Sequence, residues 1–442
     1  MRENTFYLTS LGCAKNSVDA DSMAALLIQD GLVPVEKPSK ARYLIVNTCG
    51  FIAQAREESL SKLKSLAQTK RDGQYLLAAG CLTQRYGNLI LDEVQGIDGI
   101  LGTRNWASIL PVIANMRSEK PALPYMDIFN DAPVLMDYPH ISRVSVQGAS
   151  AYLKIADGCR RNCAFCAIPS IKGKNVSRTT DAILSDARLL QSQGIKEINL
   201  ISQDTTDYAS DFGVKDGLAH LIDDLCTTIP DVPWIRLLYA FPGFVSDRLI
   251  EKMASRPQIL PYLDIPLQHA DPNILRSMYR PSNVDWTIKT IEKMRNAMPD
   301  LAIRTTFIVG YPGEGEKEFQ TLLDFVSEIR FDKVGVFPYS FEKGTPAEHL
   351  GDPVSVEEKE ARVERLMLLQ QDISLKQNLK LVGKTIPVLI EGKDENVLIG
   401  RSYRDAPEID GLVFVDGNAN PGDLVNTRVT DVMVYDLIGK II

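Results

Sequence analysis

Three stretches near the start of the chain, FYLTSLGC, RYLIVNTC and QYLLAAGC, restrict its fold more than any other feature. Each runs from Tyr-Leu through four further residues to a cysteine, at Tyr7–Cys13, Tyr43–Cys49 and Tyr75–Cys81. Helical segments follow them: NSVDADSMAALLIQDG, with apolar residues at helical spacing and Gly31 as its stop, then GFIAQAREESLSKLKSLAQTKRDG, then a third. Strand followed by helix, repeated, predicts a parallel sheet, because parallel neighbours need a crossover long enough to hold a helix. Ligands of such sheets gather beyond the carboxyl ends of the strands. Every one of these strands closes on cysteine, so Cys13, Cys49 and Cys81 are expected to converge on one sheet edge.

A chain of 442 residues exceeds one ordinary core, and two or three domains are expected. Residues 119–140, EKPALPYMDIFNDAPVLMDYPH, carry four prolines and little periodicity, and read as extended linker. Six apolar runs then alternate with helical segments: AYLKIAD, EINLIS, WIRLLYAF, YLDIPLQ, AIRTTFIV and KVGVFPYS. Six βα units are too few for a full eight-fold barrel and predict a partial, open one. A long charged helix, VEEKEARVERLMLLQQDISLKQNLKLVG, closes this part. Five short strands separated by Gly, Asp and Asn turns fill the last sixty residues and suggest a small OB-like barrel. The reading is therefore α/β: a Rossmann-like parallel domain over 1–118, a linker over 119–144, a partial TIM-like (β/α)6 barrel over 145–376 and a five-stranded barrel over 377–442.

Hydrophobic content of 45% and charged content of 24% are those of a globular protein. The opening MRENTFYLTS has no basic-then-apolar leader pattern, and a cytoplasmic protein is expected. In a reducing compartment, seven cysteines point to metal ligation or catalysis before disulfides. A net charge of −8 lacks the basic footprint of a general nucleic-acid binder.

The chemistry-bearing motif is DGCRRNCAFCAIPSIKG, which sets Cys159, Cys163 and Cys166 in a C-x3-C-x2-C loop after the first strand of the partial barrel. Three thiolates ligate three irons of a four-iron cluster and leave the fourth open to bind substrate. A zinc site or buried structural thiols are the alternatives, but no fourth Cys or His with recognisable spacing follows.

This stretch resembles the radical S-adenosylmethionine superfamily, whose signature is C-x3-C-x-aromatic-C, with Phe165 in the aromatic place. The resemblance implies that the open iron chelates S-adenosylmethionine and that its reductive cleavage gives a 5′-deoxyadenosyl radical. FIVGYPGEGEKEF adds Gly310, Pro312 and Gly313, where the family packs backbone against adenosine. With the first trio of cysteines and the small C-terminal barrel, of the TRAM type, the whole chain resembles the methylthiotransferases. That implies a second 4Fe-4S cluster on Cys13, Cys49 and Cys81, carrying the sulfur or methylsulfide; three merely buried cysteines are the alternative. Two 4Fe-4S clusters and S-adenosyl-L-methionine are thus the implied cofactors, with a one-electron donor and a sulfur donor supplied from outside.

Methylthiotransferases divide between an adenosine of transfer RNA and an aspartate of ribosomal small-subunit protein 12. From Lys384 to Lys440 ten carboxylates face six basic residues, and an acidic barrel suits a basic ribosomal protein better than RNA. SLGCAKNSVDAD, LISQDTTDY, LLYAFPG and YLDIPLQHADPNIL resemble the ribosomal-protein branch. The expected reaction is methylthio transfer to an aspartate β-carbon. The transfer-RNA activity is its rival, and a non-catalytic iron–sulfur carrier a more distant one. Gln203 and Asp204, at a strand end, are candidates for the cavity or for turn duty. Arg304 is a candidate partner for the adenosylmethionine or target carboxylate, or a structural ion pair. His269 is a site residue or a structural one. Lys172 contacts substrate, cofactor or solvent, and Cys226 reads as core.

Overall fold

The computed structural model describes residues 4–118, 124–128, 134–395 and 397–442. Two compact units emerge, one of Met1–Ser145, Tyr152–Asp186 and Ser340–Glu348, the other of Val146–Ala151, Ala187–Tyr339 and His349–Ile442.

The first unit is built on a parallel sheet of β1 (Thr5–Ser10), β2 (Val33–Pro34), β3 (Tyr43–Thr48), β4 (Tyr75–Gly80), β5 (Gly99–Gly102) and β6 (Tyr125–Asp127). The strands lie in the order β2-β1-β3-β4-β5-β6. Side chains alternate across a strand, so each strand serves two faces. Phe6, Tyr43, Ile45, Leu77 and Leu101 pack with α1 (Ala14–Gln29) and the later α4 (Ile109–Arg117). Leu44, Val46, Leu76, Ala78 and Ile100 pack with α2 (Ala53–Thr69) and α3 (Cys81–Glu93). A sheet buried on both faces needs largely apolar strands, which Tyr43–Val46 of β3 and Leu76–Ala79 of β4 supply. β6 lies within the stretch expected to be linker; three residues between prolines are too few to show a period. The rest of that expectation, over 119–123 and 129–133, lies outside the described residues.

Further along, the chain forms β7 (Val144–Gln147) and β8 (Ser150–Lys154), along which it passes between the units. Short strands β9 (Ala156–Asp157) and β10 (Val176–Ser177) pair antiparallel and close off a loop containing α5 (Ile168–Lys172). α6 (Thr180–Ser192) follows.

In the second unit β11 (Glu197–Ile201), β12 (Trp234–Leu237), β13 (Ile259–Asp264), β14 (Ala302–Val309) and β15 (Lys333–Pro338) run parallel. The sheet order β15-β14-β13-β12-β11-β8-β7 does not return on itself, so the barrel is open as expected. Helices α7 (Gly217–Thr228), α8 (Asp247–Ser255), α9 (Pro272–Ser277), α10 (Val284–Ala297), α11 (Glu316–Ile329) and α12 (Val356–Leu379) complete its crossovers and its end. β16 (Thr385–Asp394), β17 (Val397–Ser402), β18 (Val413–Asp416), β19 (Leu424–Val432) and β20 (Leu437–Ile441) form the closed C-terminal barrel, in the order β16-β17-β18-β20-β19.

Buried ion pairs fasten that barrel to the open sheet. Glu197 of β11 accepts from Arg236 Nε at 2.8 Å and from Arg401 Nη2 at 2.5 Å, all three side chains being buried. Lys333 meets Asp405 at 2.7 Å and Arg404 meets Asp332 at 2.6 Å. The paired guanidiniums hold the Glu197 carboxyl down to about 2 despite its complete burial, which by itself pushes the other way.

Candidate functional site

The first trio of cysteines lies where the sheet pattern puts it, but equal spacing in sequence does not mean equal depth in space. Tyr43 pairs with Tyr75, which brings Cys49 and Cys81 level, whereas Tyr43 pairs with Phe6 and not with Tyr7. Gly12 therefore lies beside Cys49, and Cys13 stands one residue further out. A Cβ at Gly12 would fall 2.8 Å from Cys49 Cβ and 2.9 Å from its Sγ, at a φ of +96° that L side chains avoid. The approach of the strand ends depends on that missing atom. Gly80 is equally constrained, with φ +104° and a Cβ position 2.6 Å from the Thr48 carbonyl. Cys13 is exposed, while Cys49 and Cys81 are buried. The site thus opens to solvent at one thiol and is closed at two.

One side chain ties the three strand ends together. Asn16, buried in the first turn of α1, donates from Nδ2 to the carbonyls of Leu11 at 2.9 Å and Thr48 at 3.1 Å. Its Oδ1 accepts from Cys81 Sγ at 3.4 Å. Asn47 Nδ2 donates in turn to the Asn16 carbonyl at 2.7 Å, and Ser59 Oγ both accepts from the Cys49 N–H and donates to its carbonyl. Burial pushes the Cys49 thiol up, and Cys13 adds to the effect. Burial pushes Cys81 up to about 12, opposed by Lys172 and reinforced by Cys49 and Cys13. Without metal these thiols hold their protons at neutral pH, and a metal must displace them.

The second trio sits on the loop closed by β9 and β10, in the same unit. Gly158, at φ +76°, leaves no room for a side chain: a Cβ would fall 2.1 Å from the Lys174 carbonyl. Cys159 N–H donates to Gly173 O at 3.0 Å, and its Sγ accepts the Arg161 N–H at 3.4 Å. Cys166 N–H donates to Cys163 O at 3.0 Å, closing a tight turn around Phe165, which is half-buried. Arg104 donates to the carbonyls of Ile171 and Ser170, and Cys81 packs against Ala167 and Ile171. The two trios are therefore neighbours through α5. Among the described residues, no three Cys, His, Asp or Glu side chains are gathered tightly enough to share one ion. A single zinc holds its sulfurs about 2.3 Å from one centre, whereas a four-iron cluster carries its thiolates on separate irons.

Beneath both trios lies a buried ion cluster that the sequence pattern did not reveal. Lys154 Nζ meets Asp19 at 2.6 Å and Asp157 at 2.8 Å; Lys172 Nζ meets the same two carboxylates at 2.8 and 3.0 Å. Arg143 adds a third cation on Asp19 at 2.5 Å. These cations hold Asp19 down to about 2 against complete burial. Lys172, left open between substrate, cofactor and solvent, is thus a buried member of an ion network.

In the second unit, the glycine loop after β14 is clamped from below. Glu314 Oε1 accepts the Gly310 N–H at 2.8 Å and Arg362 Nη1 at 2.6 Å. Its Oε2 lies 3.1 Å from His269 Nε2, and His269 Nδ1 accepts the Asp271 N–H at 2.9 Å. With Nδ1 an acceptor, the neutral ring carries its proton on Nε2 and donates it to Glu314. His269 therefore holds the loop's anchor. Gly310 at φ +72° and Gly313 at φ +94° give the loop its shape around Pro312. Gln203 is half-buried just past the end of β11, and Asp204 accepts from Thr206 Oγ1 at 2.5 Å, the turn duty weighed for it. Arg304 has its fork committed elsewhere: Nη1 donates to Asp264 at 2.9 Å, and Nε lies 3.4 Å from Asp410. It lies near the start of β14, six residues before Gly310, where it pairs with both carboxylates. This is the ion pair given above as the alternative for Arg304. Cys226 is buried on α7 among apolar residues, as read.

With this geometry in place, comparison with known proteins separates the family. Residues 5–102 match the model described as Uncharacterized protein family UPF0004, 153–326 the Radical SAM superfamily and 382–442 the TRAM domain. The ribosomal protein uS12 methylthiotransferase RimO of Chloroflexus aurantiacus is 47% identical, over 98% of this chain and 99% of that protein. RimO of Roseiflexus sp. (strain RS-1) is 44% identical over 99% and 97%. Among solved structures, the radical S-adenosylmethionine methyltransferase TsrM from Kitasatospora setae superposes with a TM-score of 0.57 at 12% identity, over 78% of this chain and 77% of that one, which is a likeness of fold alone. A full-length match at this identity decides the matter: the chain belongs to the RimO family of radical SAM methylthiotransferases.

Proposed function

We propose that this enzyme transfers a methylthio group to the β-carbon of an aspartate in ribosomal small-subunit protein 12, using two 4Fe-4S clusters and S-adenosyl-L-methionine. The observation that carries the reading is the placement of two separate cysteine trios in one compact unit, side by side through α5. The donor sets fit the groups: six thiols suit iron–sulfur ligation. The glycine-spared space at Gly12 and Gly80 lets three strand ends approach without side chains in the way.

Cys13, Cys49 and Cys81 would hold one cluster, and Cys159, Cys163 and Cys166 the other. When bound, these groups supply one-electron cleavage of S-adenosylmethionine at the second trio and a carrier for the transferred sulfur at the first. An unactivated C–H bond yields to neither acid nor base at neutral pH, so the product itself demands radical chemistry. Asn16 fixes the first trio's strand ends, and Gly158 fixes the loop of the second. Gly310 and Gly313, with Pro312, are the residues proposed to offer backbone to adenosine, their position held by Glu314, Arg362 and His269; Phe165 and Gln203 are proposed as cofactor contacts, each within its own unit. The electron and the sulfur atom must come from donors outside the chain. The acidic C-terminal barrel supports a basic protein partner over RNA.

The test is mass spectrometry of small-subunit ribosomal proteins and of transfer RNA from a strain lacking the gene. Loss of a methylthio increment from protein 12, with transfer RNA unchanged, is expected. Loss from transfer-RNA adenosine with the protein intact would overturn the proposal in favour of the nucleic-acid activity.

A further inference from the structure

The buried ion cluster of the first unit joins the elements that carry both cysteine trios. Two carboxylates, Asp19 and Asp157, face three cations, Lys154, Lys172 and Arg143, and every one of the five residues is at most 2% exposed; beside them Asp186 accepts the Arg143 backbone N–H at 2.9 Å and pairs with Arg178, which also meets Asp137 at 2.6 Å. Arg143 stacks on Trp106 at 4.1 Å, while its Nε and Nη1 have no hydrogen-bond partner. Charges this far from water are costly unless their partners stay fixed. The cluster's members lead to both trios. Asp19 lies on the helix that Cys13 begins, Asp157 two residues before Cys159, and Lys172 at the end of the short helix that packs on Cys81. Both cysteine trios become negative when their thiols ligate metal.

We infer that Lys172 is a positioning residue shared by both centres: its ammonium, gripped by one carboxylate from each trio's own element, is the counter-charge of the Cys13/Cys49/Cys81 centre and pins the second trio's loop beside it. The inference rests on reading the trios as cluster sites. Removing the ammonium makes one-electron reduction of the first centre less favourable, because reduction adds negative charge; removing a carboxylate partner does the reverse.

The test uses full-length protein, reconstituted anaerobically in a Cys163→Ala background so that the first centre is seen alone. One electron passes from dithionite through mediators to the centre, no bond breaks, and the reduced form is counted by electron paramagnetic resonance. Lys172→Met is expected to lower the ratio of reduced to oxidised centre at a fixed potential about tenfold, ~59 mV. Lys172→Arg is expected to restore it, and Asp19→Asn to shift it the opposite way. Opposed signs are what a merely structural role would not give. An unchanged ratio in Lys172→Met, or shifts of one sign in both variants, overturns the inference. If Lys172→Met does not fold, the sign of the Asp19→Asn shift decides. Should the Cys163→Ala parent hold no iron, the cluster reading fails first and takes the inference with it; about four irons per chain with no shift sinks the inference alone.

Discussion

Asn16 is the sharpest point at which to strike the first cysteine trio without touching a cysteine. Its Nδ2 hydrogens go to two strand-end carbonyls, Leu11 and Thr48, that belong to neighbouring strands of the parallel sheet. Asn16→Ala leaves both acceptors without that donor and opens a small polar void. A buried acceptor without a partner costs about 1–3 kcal/mol. Water reaching in past exposed Cys13 relieves part of this, so about 2–4 kcal/mol is expected for the pair. That is a large share of a typical domain's ~5–15 kcal/mol. At ~2–4 °C per kcal/mol for a domain of this order, the first unit should melt roughly 5–15 °C lower. Asn16→Asp should be worse, because it keeps the shape but turns an acceptor, and a charge, toward two carbonyls. Differential scanning calorimetry of the metal-free protein reads the stability, and iron counting in a Cys163→Ala background reads the trio. Melting within 2 °C of the parent, with the full iron complement, would refute the claim that Asn16 holds the strand ends together.

Other outcomes follow from the same geometry. Gly12→Ala forces a Cβ to 2.8 Å from Cys49 at a φ of +96°, so iron on the first trio should be lost while iron on the second is kept; equal retention on both would count against the close approach. Glu197→Ala leaves Arg236 without its carboxylate in the interior and Arg401 with Glu391 alone, and should destabilise the second unit by about 3–5 kcal/mol in urea unfolding, as broken buried pairs do. Asp19 and Glu197 are both held at about 2, below their unfolded values, so the stability they contribute is present above pH ~4 and lost as pH falls through 2. That loss, about 2–3 kcal/mol for each, should appear as a falling unfolding free energy between pH 4 and 2 and should be halved in Glu197→Gln.

What sequence reveals about this molecule follows the range of the forces involved. Strand–helix alternation is local, so the parallel sheet, the open barrel, the closed C-terminal barrel and the six cysteine positions were all legible. Register is not local: the three Tyr-to-Cys intervals are equal, yet the pairing of Phe6 with Tyr43 sets Gly12 level with Cys49 and leaves Cys13 beyond it. Ion pairs between Asp19 and Lys154 or Lys172 span well over a hundred residues, and no window on the chain contains both partners. Arg304 shows the same limit, since a guanidinium in a strand reads alike whether its carboxylate belongs to a cofactor or to Asp264 and Asp410.

A signal for the missed residues was nevertheless present on α1. Its buried stripe runs through Asn16, Asp19, Met23, Leu26 and Leu27, spaced as a core-facing helix requires. The stripe is apolar where the helix lies over the sheet and polar where it reaches the strand ends. A helix gains nothing by burying an amide and a carboxylate in its apolar register unless fixed partners meet them there. Asn16 meets the strand-end carbonyls, and Asp19 meets three cations. Polar residues in core register on the first two turns after a strand-end cysteine therefore mark the place where a scaffold gives way to a site, and here they mark it on α1, which Cys13 opens and Asp19 joins to the ion cluster.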